Sequence, residues 1–294
     1  MIETRFYVVD VVFQVPYRVK LVSWSGVFSG KLVYDSLSLA GTMLPEGGLF
    51  RVSPVYPAGG GFTPVSGFLA PGEKYRFRAV FWGKAGEAPG HVLARGFITG
   101  LSLNRDIVVE SMELREEKAA APSPEPSGEE GGEPVAATIA VRHGPTFYRF
   151  HGALVAYPSP WRLVASIARR VSMATGVDYK PLVRVLQQCL ELALDNTKKA
   201  RIRLTHGKEV KVFAGEARYH LVCGKENAES LKQLLQLGQY TGAGGSPGLG
   251  LGEIHAVAIE PPRHQLPPVV EPWAEEKNNN QSAGLYLPHR EETI

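Results

Sequence analysis

Cysteine is scarce: the 294-residue chain has only Cys189 and Cys223. Two residues so few and so far apart do not suggest a disulfide framework or a four-cysteine zinc site, and both are expected to be buried as small apolar groups. No apolar run reaches the length a membrane helix needs, and the N-terminus lacks the charged, apolar and small-residue succession of a signal peptide. A cytoplasmic protein without a membrane partner is expected. The paired His, Cys and carboxylate spacings of a zinc or two-metal centre are also missing, so no metal and no cofactor is expected. Residues 31–61 contain no histidine.

What is present is positive charge, unevenly spread. The formal net charge is +3, but residues 116–134 carry −5 and leave +8 for the rest. Basic folded parts favour a polyanionic partner. The acidic stretch "REEKAAAPSPEPSGEEGGEP", rich in Pro, Gly and Ser, has little to bury and reads as a linker. Domains are therefore expected at 1–114 and 137–260, joined by a linker over 115–136 and followed by a flexible tail at 261–294.

Both domains read as the same α+β unit. In the first, a strand over 5–14 precedes a helix over 30–39. A strand pair follows over 49–55 and 74–82, then a short helix over 91–97 and a strand over 106–114. In the second, the reading is a strand over 147–156, helices over 160–174 and 180–194, and a hairpin over 200–205 and 208–222. A helix over 229–239 and a strand over 254–259 complete it. The fold class is thus α+β, with tandem ferredoxin-like (βαββαβ) domains.

The most unusual stretch is "TGAGGSPGLGLGEI", with six glycines between Thr241 and Ile254. Glycine admits close backbone approach and can leave amides free for an anion. The stretch is not a Walker loop, because Glu253 stands where the lysine belongs, and it is not a dinucleotide fingerprint, because the helix precedes the glycines and the strand follows. The spacing that fits is Gly242-Ala243-Gly244, five residues, then Gly250-Leu251-Gly252.

That spacing, at the last helix-to-strand connection of a tandem ferredoxin-like chain, resembles the RAMP superfamily of CRISPR-associated proteins. Residues 213–254 are similar to the C-terminal region of its repeat-processing endoribonuclease, the sixth Cas family. "LFRVSPVYP" and "EKYRFRAVFW" resemble that family's N-terminal central strands, and "SGVFSGKLVYDSL" resembles its first helix. The likeness covers most of residues 5–260. It implies an endoribonuclease that binds CRISPR repeat RNA and cuts it without metal, by attack of the neighbouring 2′-hydroxyl. It also implies, as an alternative, a non-catalytic RNA-binding subunit of a CRISPR effector complex. Effector-complex subunits and a second copy of the chain are further expected partners.

The family often carries a catalytic histidine at or just after the first helix, and this chain has none there. Lys31 and Tyr34, three apart on one helical face, are the candidate catalytic residues in its place. The candidate RNA-binding residues are Gly242, Gly244, Gly250 and Gly252 of the signature, Arg76 and Arg78 in an aromatic-rich strand, Arg169 and Arg170 on a helix, and Arg201 and Arg203 in the hairpin. The five-residue insert contains no cation, so either backbone amides make the RNA contact or the loop is structural. His91, His143, His151 and His255 are weighed as cleft residues, with surface or satisfied core positions as the usual outcome.

Overall fold

The computed structural model describes residues 2–44, 50–61, 63–83, 89–126 and 134–260. The first half begins with β1 (Ile2–Gln14), whose β-branched and aromatic residues bury Phe6, Val8, Val9, Val11 and Phe13. A short β2 (Val19–Lys20) leads into α1 (Ser25–Leu39). The chain continues through β3 (Phe50–Val52), β4 (Tyr56–Pro57), β5 (Phe68–Leu69) and β6 (Tyr75–Trp82), then α2 (Gly90–Leu103) and β7 (Val108–Ala121). The sheet order is β3-β6-β1-β7, all antiparallel, with β4 also on β6 and a separate β2-β5 ribbon. With β1 and β6 central and a helix after β1 and after β6, this is the ferredoxin-like unit.

The second half repeats it. Its elements are β8 (Val135–Thr146), a small hairpin of β9 (Tyr148–Phe150) and β10 (Ala153–Val155), α3 (Pro160–Thr175), α4 (Lys180–Leu186), β11 (Leu190–Arg203), β12 (Glu209–Cys223), α5 (Lys225–Thr241) and β13 (Ile254–Glu260). The sheet order β11-β12-β8-β13 matches the first sheet position for position. α3 starts on Pro160, where the missing N–H costs nothing, and stops at Gly176, whose φ of 76° suits glycine and whose N–H reaches Ser172 O at 2.8 Å. None of the described helices is long and apolar enough to cross a membrane.

Four expectations are corrected. Residues 115–121, read as linker, continue β7 along β1 to the pair Ile2↔Ala121. Their alternating charges find partners across the ladder, with Arg5 on Glu116 at 3.5 Å and Lys118 on Glu3 at 3.5 Å. Residues 135–136 likewise belong to β8. The strand read over 147–156 is the β9-β10 hairpin, turned at His151 and Gly152 with φ of 45° and 84°; β8 is the central strand. The helix read over 180–194 ends at Leu186, because β12 offers an unpaired edge to which Leu190 pairs through Leu221, and tertiary pairing overrides the local apolar spacing. Finally, Cys189 and Cys223 form a disulfide rather than two free thiols, since they stand at the two open ends of the β11-β12 hairpin. Residues 127–133 and the tail lie outside the described residues.

Candidate functional site

The glycine-rich stretch is a clasp between the halves. α1 turns Gly26 and Gly30 toward it and buries Ser25 and Ser29 beside them, while Leu32, Val33 and Leu37 pack into the core. A Cβ on Gly26 would meet the Leu249 carbonyl oxygen and lie 2.7 Å from Gly250 Cα; one on Gly30 would collide with the Gly248 carbonyl oxygen. Only bare backbone on both sides permits this approach. Trp24, just before α1, ties three elements together. Its N–H donates to Arg203 O at 2.7 Å, and its indole Nε1 donates to Gly250 O at 3.3 Å.

The amides of the clasp are already engaged. Those of Gly242, Ala243, Gly244, Gly245, Gly250 and Gly252 donate to Gly238 O, Gly252 O, Ser166 Oγ, Phe147 O, Pro247 O and Pro145 O, at 2.7–3.1 Å. An anion offered to Gly242, Gly244, Gly250 or Gly252 would have to displace a protein acceptor. The amides of the signature glycines thus have internal acceptors, and their bare backbone permits the close packing of the clasp.

Lys31 and Tyr34 stand on the solvent side of α1 beside this clasp. The Tyr34 ring is half exposed and meets Phe50 edge-on at 5.3 Å between centroids, and Phe50 in turn lies under Gly248. Lys31 is exposed and ion-paired to Asp35 one turn on. An exposed i,i+4 pair of this kind is worth about 0.3–0.5 kcal/mol, so an incoming phosphate can take the ammonium over.

Residues of both sheets and the end of α5 line a cleft of about 720 Å³. On the first sheet the register sets Arg78 beside Asp10 and Arg115 beside Val8. Arg78 makes two hydrogen bonds to Asp10, at 2.7 and 3.1 Å, and Arg115 adds one at 2.5 Å. Burial raises the Asp10 pKa, but the two guanidinium groups more than offset it and hold the carboxyl below its usual value. Arg76 donates to Gly61 O at 3.1 Å. Arg142 and His255 enter from the second sheet.

At the floor of the cleft lies a network absent from the sequence reading. Arg51 Nε and Nη2 donate to Tyr240 O and Gln239 O at 2.9 and 3.1 Å, and Nη1 is 3.0 Å from Glu253 Oε1. Tyr56 donates to Glu253 Oε2 at 3.1 Å. Burial pushes Glu253 up, yet Arg51, His255 and the Tyr56 hydroxyl hold it below the usual carboxylate range. His255 is kept below its ordinary pKa by burial, then by the nearby arginines, against the pull of Glu253. Arg170 joins the same helix end. Its guanidinium donates to Thr241 O at 2.7 Å and to Gly244 O, so two arginines from different halves neutralise the negative terminus of α5. Burial, then the charge of Arg51, pull the Arg170 pKa down to about 9. Arg170, expected as an RNA contact, is buried and caps the end of α5.

The remaining candidates are at the surface. Arg169 is exposed on α3. Arg201 stands directly opposite Lys211, and Arg203 opposite Glu209 with 3.6 Å between charges. Like charges facing across a ladder are destabilising until an anion bridges them. His91 is exposed with its ring edge-on to Tyr7, His151 is the hairpin tip, and His143 is buried 3.3 Å from the Tyr219 hydroxyl. Of the four weighed, His255 alone lines the cleft. Trp24, Arg51 and Glu253 were missed. The signal for the first was the Ser-Gly-x-x-Ser-Gly run after Trp24, which marks a helix face built for close approach.

Residues 142–254 match the model of a family described as CRISPR-associated endoribonuclease Cas6. No curated protein matches the chain in sequence. A solved Cas6 product complex shares 18% identity at a TM-score of 0.57, over 85% of this chain and 99% of that one. Thermus thermophilus Cas6 shares 16% at 0.55, over 88% and 99%. A Cas6 substrate mimic complex shares 15% at 0.54, over 85% and 99%. The match to the Cas6 family model is confined to residues 142–254, and the chain that carries them has the fold of the solved Cas6 proteins.

Proposed function

We propose that the protein is a metal-independent endoribonuclease that binds CRISPR repeat RNA and cuts the precursor transcript into guide RNAs. The observation that carries this reading is the junction at Trp24. One residue joins the family's glycine-rich connection, the basic β11-β12 hairpin and the start of the helix that bears Lys31 and Tyr34. RNA held by Arg201, Arg203 and Lys211 passes beside α1, and the cleft arginines Arg76, Arg78 and Arg142 hold a further single-stranded stretch.

In the reaction the 2′-oxygen bonds to the adjacent phosphorus and the bond to the 5′-oxygen breaks. The products are a 2′,3′-cyclic phosphate and a 5′-hydroxyl. Lys31 leaves Asp35 to place its charge on the phosphorane, and the Tyr34 hydroxyl donates a hydrogen bond to a phosphoryl oxygen. With no histidine in residues 31–61, the proton lost by the 2′-hydroxyl and the one gained by the 5′-oxygen exchange with water.

The test is incubation with labelled repeat RNA in chelator, beside a copy with one 2′-deoxy nucleotide at the cut site. Cleavage of the first and not the second is expected. Lys31→Ala and Tyr34→Phe should each slow it by roughly 10²-fold while RNA affinity changes far less. A metal requirement would overturn the mechanism. The exposed, Asp35-paired Lys31 and the missing histidine favour a second reading, a non-catalytic RAMP-type subunit of a CRISPR effector complex, which tight binding without cleavage would select.

A further inference from the structure

A second cavity, of about 440 Å³, lies on the helical side of the molecule where the end of β6, α3 and residues 244–247 meet. Neither Lys31 nor Tyr34 lines it, and it shares no lining residue with the cleft between the sheets. Four arginines line it, Arg149, Arg162, Arg169 and Arg170, and among the described residues no carboxylate does. Arg170 is spent on the end of α5, but Arg149 and Arg169 are exposed, and Arg162 Nε has no partner among the described residues.

Two deeply buried donors also border it. Trp82 and Tyr148 are 1% and 2% exposed, and neither the indole Nε1 nor the phenol oxygen has a hydrogen-bond partner among the described residues. Native proteins leave few buried polar groups unpaired, so two beside one cavity point to a ligand. An indole N–H and a guanidinium can only donate. No carboxylate answers these donors among the described residues, so an acceptor with negative charge and several oxygens is the ligand the lining suits. Phosphate has that chemistry, and arginine forks match it. The cavity also continues to an aromatic surface. Arg162 lies over the Phe150 ring at 4.6 Å, and that ring is half exposed.

We propose that this cavity is a phosphate-binding subsite, which takes one phosphate of single-stranded RNA on the α3 side while the attached base stacks at Phe150. That the phosphate belongs to RNA rests on the function proposed above; the anion chemistry of the cavity does not.

The experiment follows the indole N–H signals of the ¹⁵N-labelled full chain, with Trp82→Phe to assign its resonance. Orthophosphate and a short single-stranded repeat RNA are titrated separately. The expected result is a downfield shift of the Trp82 indole with both ligands. In Arg149→Gln/Arg169→Gln, whose substitutions are exposed and spare the core, the concentration needed should rise at least ~10-fold, with the other indole signals in place. A Trp82 signal unmoved by either ligand overturns the subsite. RNA that binds without moving Trp82 overturns it too, and leaves the endoribonuclease reading standing. A response to orthophosphate in a protein that binds no RNA upholds the phosphate site, assigns it to a free anion, and counts against that reading.

Discussion

Replacing Gly30 by alanine sets two effects of opposite sign against each other. Alanine is the better helix former by about 1 kcal/mol in a helix interior, so propensity alone predicts stabilisation. The added methyl, however, would point into the Gly248 carbonyl oxygen, and the two would have to separate by roughly an ångström. Gly248 has little room to retreat. It belongs to a turn closed by Leu249 N on Ser246 O at 3.0 Å and Gly250 N on Pro247 O at 3.1 Å, and Phe50 lies against its other side. Overpacking of this kind costs typically 1–3 kcal/mol, more than propensity returns, so a net loss of about 1 kcal/mol is expected, or ~2–4 °C in Tm for a unit of this size. Urea denaturation of Gly30→Ala beside Ser38→Ala, an exposed position on the same helix, measures the difference. The control should be neutral or slightly stabilised. If Gly30→Ala gained as much stability as propensity predicts, the clasp would be loose and the packing role given to the signature glycines would be refuted.

Arg51→Ala should cost about 3–5 kcal/mol, because it leaves Glu253 buried without its cation and Gln239 O and Tyr240 O without donors; chemical denaturation reads the loss, and Arg51→Lys, with no fork to span the three acceptors, should recover only part of it. His143 is held neutral by burial, its pKa lowered from 6.5 to about 4, so the unfolded chain takes up its proton first as pH falls. Stability from this group is complete above pH 6.5 and declines by about 3 kcal/mol as pH drops to 4, and His143→Gln should flatten that slope in denaturation curves taken between those values. Reduction of the Cys189–Cys223 bridge, which closes a loop of 34 residues, should lower stability by up to about 4 kcal/mol, measured by denaturation with and without dithiothreitol; an unchanged midpoint would contradict it.

The strands that alternate cleanly were legible in the sequence. Residues 74–82 place Tyr75, Phe77, Ala79 and Phe81 on one face, and β6 does so. β8 was not, because its inward residues Ala137, Ile139 and Val141 follow directly on an acidic, Pro-rich stretch and include a weak strand former. The bridge between the cysteines was hidden by their separation, yet both lie equally far from His206 at the hairpin turn. Once two strands pair about that turn, their outer ends must meet. Arg51 was illegible for a different reason. Nothing near it in the chain indicates that its acceptors come from the end of a helix some 190 positions later.

The same distance in sequence explains why counting basic residues overstates the charge offered to RNA. Arg51 and Arg170 are consumed at the end of α5, and Arg78 and Arg115 share Asp10, so four of the cations around the cleft and clasp already have internal partners. A phosphate entering the cleft meets Arg78 and Arg115 only in competition with a carboxylate already lowered in pKa by them. At the hairpin the balance is opposite. Arg201 faces Lys211 with no acid between them, and bringing a phosphate there removes a repulsion instead of breaking a pair. Under the proposed function a polyanion is therefore expected to bind most favourably at the hairpin next to α1, while at the cleft it has to take Arg78 and Arg115 from Asp10.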